Sequence, residues 1–533
     1  MRISALSRLF WVIFVTFTVS APAPAQTYDL LVRGGRVVDG SGSPWYRADV
    51  GIVGDTIVAI GRPLDGSARR VLDAGGRIVS PGFIDIHTHA NRGLFDVPTA
   101  DNYVRQGVTT VFAGQDGGSP VPLRPFLEKV ASTPLSLNFG SFIGQGGVRR
   151  AVLGNVDRAA TAEEINRMQE LVRQGMRDGA FGMSTGLFYV PGAFASTEEL
   201  VALARAAGEM GGIHISHMRD EASKILESVE ETVRIGEEGG LPTQVTHHKV
   251  IGPAYWGGSI DTLRLVNEAR ARGVDVTLDQ YPYTASATGI QAALWPKWAQ
   301  AGDREAVLAR LRDPATRARI RTESTRIIRD ERGGGDASRV QISACDWDPS
   351  LAGETLAEIT RSRGLEPSLE NAANTVIWIV EQGGCRGIFH AIGEEDLVRI
   401  LRHPATMIAS DGGIPIFGQA VPHPRSYGTF ARILGRYVRE LEVLPLEQAV
   451  HKMSVLPAQR VGLLDRGLLR PGMKADLAIF DPATVRDTAT YETPHSYAVG
   501  FSHVIVNGEV VFGEAAMTKA RPGKVLYGPG HAP

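Results

Sequence analysis

The chain has 533 residues, 43% hydrophobic and 21% charged, a balance that supports more than one buried core and excludes a mainly disordered polymer. Its formal net charge of −2 leaves no electrostatic footprint for nucleic acid or an anionic bilayer, so the expected partner is a small molecule. The two cysteines, Cys345 and Cys385, fit no Cys-x-x-Cys pattern and can form one bridge at most, so any metal ligands must be histidine and carboxylate.

At the N-terminus, Arg2 and Arg8 precede an apolar run, 9–19, of eleven residues, and Ala23-Pro24-Ala25 follows. This is the order of a secretory leader removed before Gln26. Eleven residues are too few for a membrane span, which needs about 20. Residues 1–25 are therefore expected to be a signal peptide, and the mature protein to be exported, periplasmic or secreted. Residues 26–80 read as short β-prone runs punctuated by Gly34-Gly35, Gly54-Asp55 and Gly75-Gly76. The same texture returns over 466–533, where Asn507-Gly508 suits a type I′ hairpin turn. The two ends are expected to form one small β-sandwich.

Between them, over 81–465, strand candidates alternate with amphipathic stretches. The strands fall at 83–87, 109–113, 136–143, 180–185, 212–217, 243–247, 275–280 and 406–410; helical periodicity runs through 161–178, 197–210 and 222–238. Eight such units predict an α/β fold of the (β/α)8, TIM-like type, with the chemistry at the C-terminal ends of the strands. A basic helical stretch at about 287–374 breaks the rhythm and reads as an insertion after the seventh strand, placed to overhang the mouth.

The strand ends carry the constellation. His87 and His89, one residue apart at the end of the first strand, face the same way and can share a metal. Asp116 lies just beyond the second strand, His217 on the fifth, His247 on the sixth and Asp411 on the eighth. Four imidazoles and two carboxylates at one mouth suit one or two zinc-like ions. By strand alternation His214 and His248 point to the opposite face and are structural. Lys249, two residues past His247, points into the mouth.

The motifs PGFIDIHTH, QGVTTVFAGQDG, GAFGMSTGLFYVPG, HMRDE, QVTHHK, YPYTA, ASDGG, HPRSYGTFARILGRYV and PGMKADLAIFD make the chain resemble the N-acyl-D-amino-acid deacylase (D-aminoacylase) family of the amidohydrolase superfamily over nearly its whole mature length. The resemblance implies a zinc-bearing barrel beside a β-sandwich, with His87 and His89 at one metal position and His217 and His247 at the other. It makes Asp411 the general acid/base, Lys249, Tyr283 and Arg425 the holders of the substrate carboxylate, with Tyr281 able to exchange roles with Tyr283, and Tyr189 the contact to the scissile group. The chain departs from the family's pattern where Asp116 replaces a cysteine and where Gln145 replaces a glycine-flanked histidine.

Three functions follow as expectations. The first is an amidase acting on N-acyl-D-amino acids or D-amino-acid-containing dipeptides, in which a zinc-activated water attacks the amide and Asp411 moves the proton. The second is a cyclic-amide hydrolase of the hydantoinase or dihydroorotase kind, which would need a lysine on strand four, where the chain reads Gly182-Met183-Ser184-Thr185-Gly186. The third is a non-catalytic exported protein that binds metal or ligand.

Overall fold

The computed structural model describes residues 27–532; the expected leader, 1–25, lies outside them. Five strands open the chain: β1 (Thr27–Val37), β2 (Tyr46–Val53), β3 (Thr56–Gly61), β4 (Ser67–Asp73) and β5 (Ile78–Pro81). Along its length β1 pairs with β2, but its other edge is shared, by β4 from Thr27 to Arg33 and by β5 at Arg36 and Val37. The register slips between Val32 and Gly35, and this bulge at Gly34-Gly35 lets one strand serve two neighbours.

Eight parallel strands follow as the barrel. They are β6 (Phe83–Asp85), β7 (Val108–Ala113), a third strand split into β8 (Asn138–Ser141) and β9 (Ile143–Gly144), β10 (Gly182–Gly186), β11 (Ile213–His217), β12 (Thr243–Val245), β13 (Val276–Gln280) and, after the insertion, Thr406–Ile408. The ladder runs β6-β7-β8, then β9-β10-β11-β12-β13 to Thr406–Ile408. The Asp411 N–H donates to the His87 carbonyl at 2.9 Å and joins the last strand to the first. Ile84, Phe112, Phe142, Phe181, Ile215 and Met407 fill the interior, each fully buried side chain contributing roughly 1.5–3 kcal/mol. The flanking helices start where their caps dictate: Thr161 and Glu164 form a capping box ahead of Ala162–Asp178, and Ser196 caps Thr197–Gly208.

The first, sixth and eighth ladders stop short of the expected strand ends, at Asp85, Val245 and Ile408. The next residues leave the ladder to turn side chains into the mouth. His247 and Asp411 have φ of 34° and 52°, as does Asp116 at 55°, a region non-glycine residues enter only when their surroundings hold them there.

The insertion is a unit of its own. Strands β14 (Ser286–Gly289), β15 (Val340–Ala344) and β16 (Arg386–Phe389) form an antiparallel sheet in the order β14-β16-β15, over a separate core that includes Ile290, Trp295, Ile320, Ile342, Ile377 and Phe389. It therefore runs past the expected limit of about 374 to Phe389, because helix Leu369–Gln382 and β16 pack on this core and the barrel resumes at helix Glu394–Arg402. Cys345 and Cys385 are bridged, with Cα atoms 4.5 Å apart.

With Thr406–Ile408 as β17, the chain ends in β18 (Leu477–Phe480), β19 (Phe501–Val506), β20 (Glu509–Gly513) and β21 (Ala516–Met517). Strand β18 pairs with β5, so both ends meet in one nine-stranded sheet over a shared core of Val32, Val50, Ile52, Leu477, Ile479 and Ile505. Asn507 and Gly508 both have positive φ between β19 and β20, as a type I′ turn requires. Among the described residues no helix is long and apolar enough to cross a membrane.

The disulfide spans 40 residues of chain, a loop whose closure restricts the unfolded state by roughly 4 kcal/mol in the chain-entropy view. Cys345→Ser is expected to lower the melting temperature and expose the insertion, not the barrel, to limited proteolysis. A melt identical to that of the oxidised parent would show that the insertion core holds without the bridge.

Candidate metal centre

The turn after β7 puts a carboxylate at the centre of the mouth. Gly186 at the end of β10 lies so close to it that an added Cβ would collide with the Asp116 carbonyl oxygen, so only glycine permits that approach. The Ser184 hydroxyl donates to the Gly114 carbonyl at 2.5 Å and accepts from the Gly117 N–H at 3.1 Å. The Gln115 amide donates to the Ile86 carbonyl at 2.8 Å, tying the turn to the first strand.

Held this way, Asp116 faces all four histidines. Its Oδ1 is 3.4 Å from His87 Nε2 and 3.5 Å from His247 Nε2. Its Oδ2 is 3.4 Å from His89 Nε2 and 3.6 Å from His217 Nδ1. Asp411 Oδ1 lies 3.1 Å from His89 Nε2 and 3.7 Å from His87 Nε2. Two groups result, His87–His89–Asp116–Asp411 and Asp116–His217–His247, in each of which the donor atoms lie within 4.8 Å of one another. Asp116 alone belongs to both.

The donors fit a divalent ion. His87 Nε2, Asp116 Oδ1 and Asp411 Oδ1 are buried without a hydrogen-bond partner, a cost of about 1–3 kcal/mol each that a shared cation would relieve. Burial alone would raise the Asp116 carboxyl, but His87 and His217 outweigh it and hold it well below the usual range. Asp411 is likewise held low, burial being outweighed by the Arg425 guanidinium and then by His89 and His247. His217 is pushed down to about 4, first by burial and then by His247, whereas His87 and His247, despite burial, are raised by the carboxylates beside them, Asp116 first.

Around this cluster stand partners that strand-end reasoning missed. Asp279 on β13 accepts from the His247 N–H at 2.7 Å and lies 3.7 Å from His87 Nδ1. Asp85 accepts from the Ser410 and His87 N–H groups at 3.0 and 3.3 Å, and burial raises it to about 7. Glu221, inside the HMRDE motif, receives Lys249 Nζ, with Arg332 Nη2 at 2.8 Å. Only contact across the fold identifies Asp279 and Glu221; Asp85 already stands out as the acidic residue of the His87–His89 stretch.

Of the residues assigned to the substrate, Arg425 and Lys249 point into the mouth. Arg425 Nη1 is 2.7 Å from Asp411 Oδ2 yet makes no directed hydrogen bond, and Lys249 Nζ is 2.8 Å from His247 Nδ1. The Tyr189 ring lies 4.7 Å from that of His217, and its hydroxyl pairs with Thr288 Oγ1 at 3.1 Å. Tyr283 is placed elsewhere: its ring lies under Arg432 at 4.8 Å and its hydroxyl faces the Pro424 carbonyl. Tyr281 instead lies beneath Arg425 at 4.7 Å, with a buried, unpartnered hydroxyl. A tight turn about Pro282, closed by the Tyr283 N–H on the Tyr281 carbonyl at 3.0 Å, gives the two rings different cationic neighbours although both reach His423. Gln145 turns to Glu199 at 3.5 Å rather than to the cluster. His214 bonds Thr185 and Thr243, and His248 bonds Thr262, all away from the mouth.

A (β/α)8 barrel with paired histidines after its first strand and at its fifth and sixth, and an aspartate after the eighth, defines a metal-dependent hydrolase. The amidohydrolase family pattern matches residues 70–512, and the chain belongs to that family, within its D-aminoacylase group. It is 38% identical to the D-aminoacylase of Alcaligenes xylosoxydans xylosoxydans over 525 residues, 94% of this chain and 98% of that enzyme. A solved D-aminoacylase with a binuclear metal centre superposes with a TM-score of 0.80 at 37% identity, covering 94% of this chain and 100% of the other. The N-acyl-D-glutamate deacylase of Bordetella bronchiseptica, solved with zinc and a phosphonate mimic of the tetrahedral intermediate, gives 0.78 at 35% identity, with 94% and 100% covered.

Because Asp116 serves both groups, Asp116→Ala is expected to weaken metal binding at both, whereas Asp116→Cys, with a softer thiolate donor, should retain zinc. Elemental analysis after dialysis checks this. Full metal content in Asp116→Ala would reduce the residue to a turn former.

Proposed function

We propose that the protein is an exported, zinc-dependent deacylase that hydrolyses the amide of N-acyl-D-amino acids, or of D-amino-acid-containing dipeptides, to a carboxylic acid and a free D-amino acid. The observation that carries this reading is the pairing of a metal-donor cluster with a cationic rim: Arg425 and Lys249 stand beside the donors, where a substrate carboxylate would lie next to its scissile amide. His87, His89, Asp116 and Asp411 would hold one zinc ion, and His217, His247 and Asp116 a second. Zinc there supplies a Lewis acid and makes water acidic enough to attack at neutral pH.

The chain's own groups then have separable tasks. Asp411, held ionised, accepts a proton at Oδ1 and returns it to the leaving nitrogen. Burial, then Asp116, raises the Tyr189 hydroxyl above its ordinary value, so it stays protonated and donates to the oxygen on which charge develops. Arg425, Lys249 and the Tyr281 hydroxyl orient the carboxylate. Strand four offers no lysine to bridge two ions, and Asp116 is the donor that both groups share, which disfavours the cyclic-amide reading. The D configuration rests on the likeness to D-aminoacylases, and assay of N-acetyl-D- and L-amino acids, a D-terminal dipeptide and a hydantoin tests it: turnover of the hydantoin alone would overturn the reading.

Export is supported by the leader pattern and by the Cys345–Cys385 bridge, which suits an oxidising compartment. N-terminal sequencing is expected to find Gln26 first; an intact Met1 on a cytosolic protein would refute it.

Asp411→Asn is expected to abolish turnover while metal largely remains, since four histidines and Asp116 still face the ions but an amide cannot take the proton. Arg425→Ala should raise KM roughly 10- to 100-fold for acylated amino acids, the worth of a charged hydrogen bond, and much less for uncharged amides. Near-normal turnover in the first variant, or equal effects on both substrate kinds in the second, would refute these roles.

A further inference from the structure

Glu221 stands on the far side of His217 and His247 from Asp116. His247 faces Asp116 Oδ1 through Nε2 at 3.5 Å and Glu221 Oε1 through Nδ1 at 3.3 Å. His217 faces Asp116 Oδ2 through Nδ1 at 3.6 Å and Glu221 Oε2 through Nε2 at 3.8 Å. The inner nitrogens, His247 Nε2 and His217 Nδ1, are 2.7 Å apart. Each imidazole thus turns one nitrogen to the cluster and the other to the Glu221 side, where Lys249 Nζ stands between, 2.8 Å from His247 Nδ1 and in contact with Glu221 Oε1.

Glu221 cannot drift, because its side chain is 1% exposed and both oxygens receive cations. Lys249 Nζ meets Oε1 and Arg332 Nη2 meets Oε2 at 2.8 Å. Arg332 belongs to the insertion, two residues beyond helix Pro314–Asp330. It also donates to Ser286 Oγ at 2.9 Å and lies 4.6 Å over the Phe188 ring, which stacks on His217 at 5.5 Å.

We propose that Glu221, anchored by Arg332 from the insertion, is the positioning residue that sets how firmly the His217–His247 pair retains its metal. A ligating imidazole lends one nitrogen to the ion and carries its proton on the other. A carboxylate facing that other nitrogen fixes the tautomer and ring direction and makes the ligand more basic. Among the described residues no other carboxylate does this for these two rings, since Asp279 meets His87 and the His247 backbone instead. Arg332 matters because Lys249, the other anchor, is also the cation assigned to the substrate carboxylate. When Lys249 turns to substrate, Arg332 keeps Glu221 in place.

The inference rests on reading the cluster as a metal centre, and its test reads metal rather than turnover. Wild type, Glu221→Ala, Glu221→Gln, Arg332→Ala and Arg332→Lys are loaded with Co2+ and dialysed against a weak chelator. Metal equivalents are measured by elemental analysis, dissociation constants by chelator competition, and coordination by the visible Co2+ absorption. Glu221→Ala and Arg332→Ala are expected to weaken one equivalent 10- to 100-fold and change its absorption, while the equivalent held by His87 and His89 stays. Glu221→Gln should weaken it less, and Arg332→Lys should restore much of the loss. If Glu221→Ala does not fold, the two Arg332 variants decide the question by the same measurements. Variants that match a metal-loaded wild type in affinity and spectrum overturn this inference alone; a wild type that takes up no ion overturns the metal reading and this inference together.

Discussion

A buried carboxylate survives only where opposite charge or hydrogen-bond donors meet it, and this barrel buries Glu221, Asp279 and Asp411 around one mouth, with Asp116 nearly buried between them. The partners come from separate parts of the chain: imidazoles from the first, fifth and sixth βα units, Arg425 from beyond the eighth strand, and Arg332 from the insertion. The charge balance therefore adds to the shared apolar interior in fixing the relative placement of these elements. Removing one partner of such a pair leaves a buried charge uncompensated, a cost of about 3–5 kcal/mol, so the mouth is over-determined before any ion is considered.

That over-determination is what permits strain at the ligands. Asp116, His247 and Asp411 all sit at positive φ, a departure of order 1–3 kcal/mol each. Each is held from outside itself: the Asp116 turn by Gln115 and Ser184, His247 by the Asp279 carboxylate, Asp411 by the His87 carbonyl. Where a regular ladder would have carried these side chains alternately in and out, the left-handed turns aim three of them at one point. The early ends of the first, sixth and eighth ladders are thus part of the site.

The barrel was legible in the sequence because its two periods, two for strands and near 3.6 for helices, are properties of neighbouring residues. The six donors were legible for a related reason: in a parallel barrel every strand end reaches the same rim. Glu221, Asp279 and Arg332 were not, because the partner of each lies far along the chain and only the fold brings the two together. The insertion was recognisable by its break in rhythm, but its far edge was not, since β16 pairs with β14 and β15 across intervening helices and carries no local sign of doing so. The choice between Tyr281 and Tyr283 depended on the turn about Pro282, where strand alternation no longer applies.

On the proposed function, the cations meant for a substrate carboxylate also meet carboxylates of the chain itself, Arg425 with Asp411 and Lys249 with Glu221. An incoming carboxylate must compete for them, which offsets part of its binding free energy. What it draws from Arg425, however, is lost to Asp411, whose carboxyl that guanidinium holds well below its ordinary range. Sharing the guanidinium lets the Asp411 pKa rise, and a more basic Asp411 takes a proton more readily. A substrate lacking the carboxylate leaves the Arg425–Asp411 pair intact and meets a weaker base. The ion pair thus couples recognition to proton transfer, so that part of the binding interaction is expressed in the chemical step rather than in affinity.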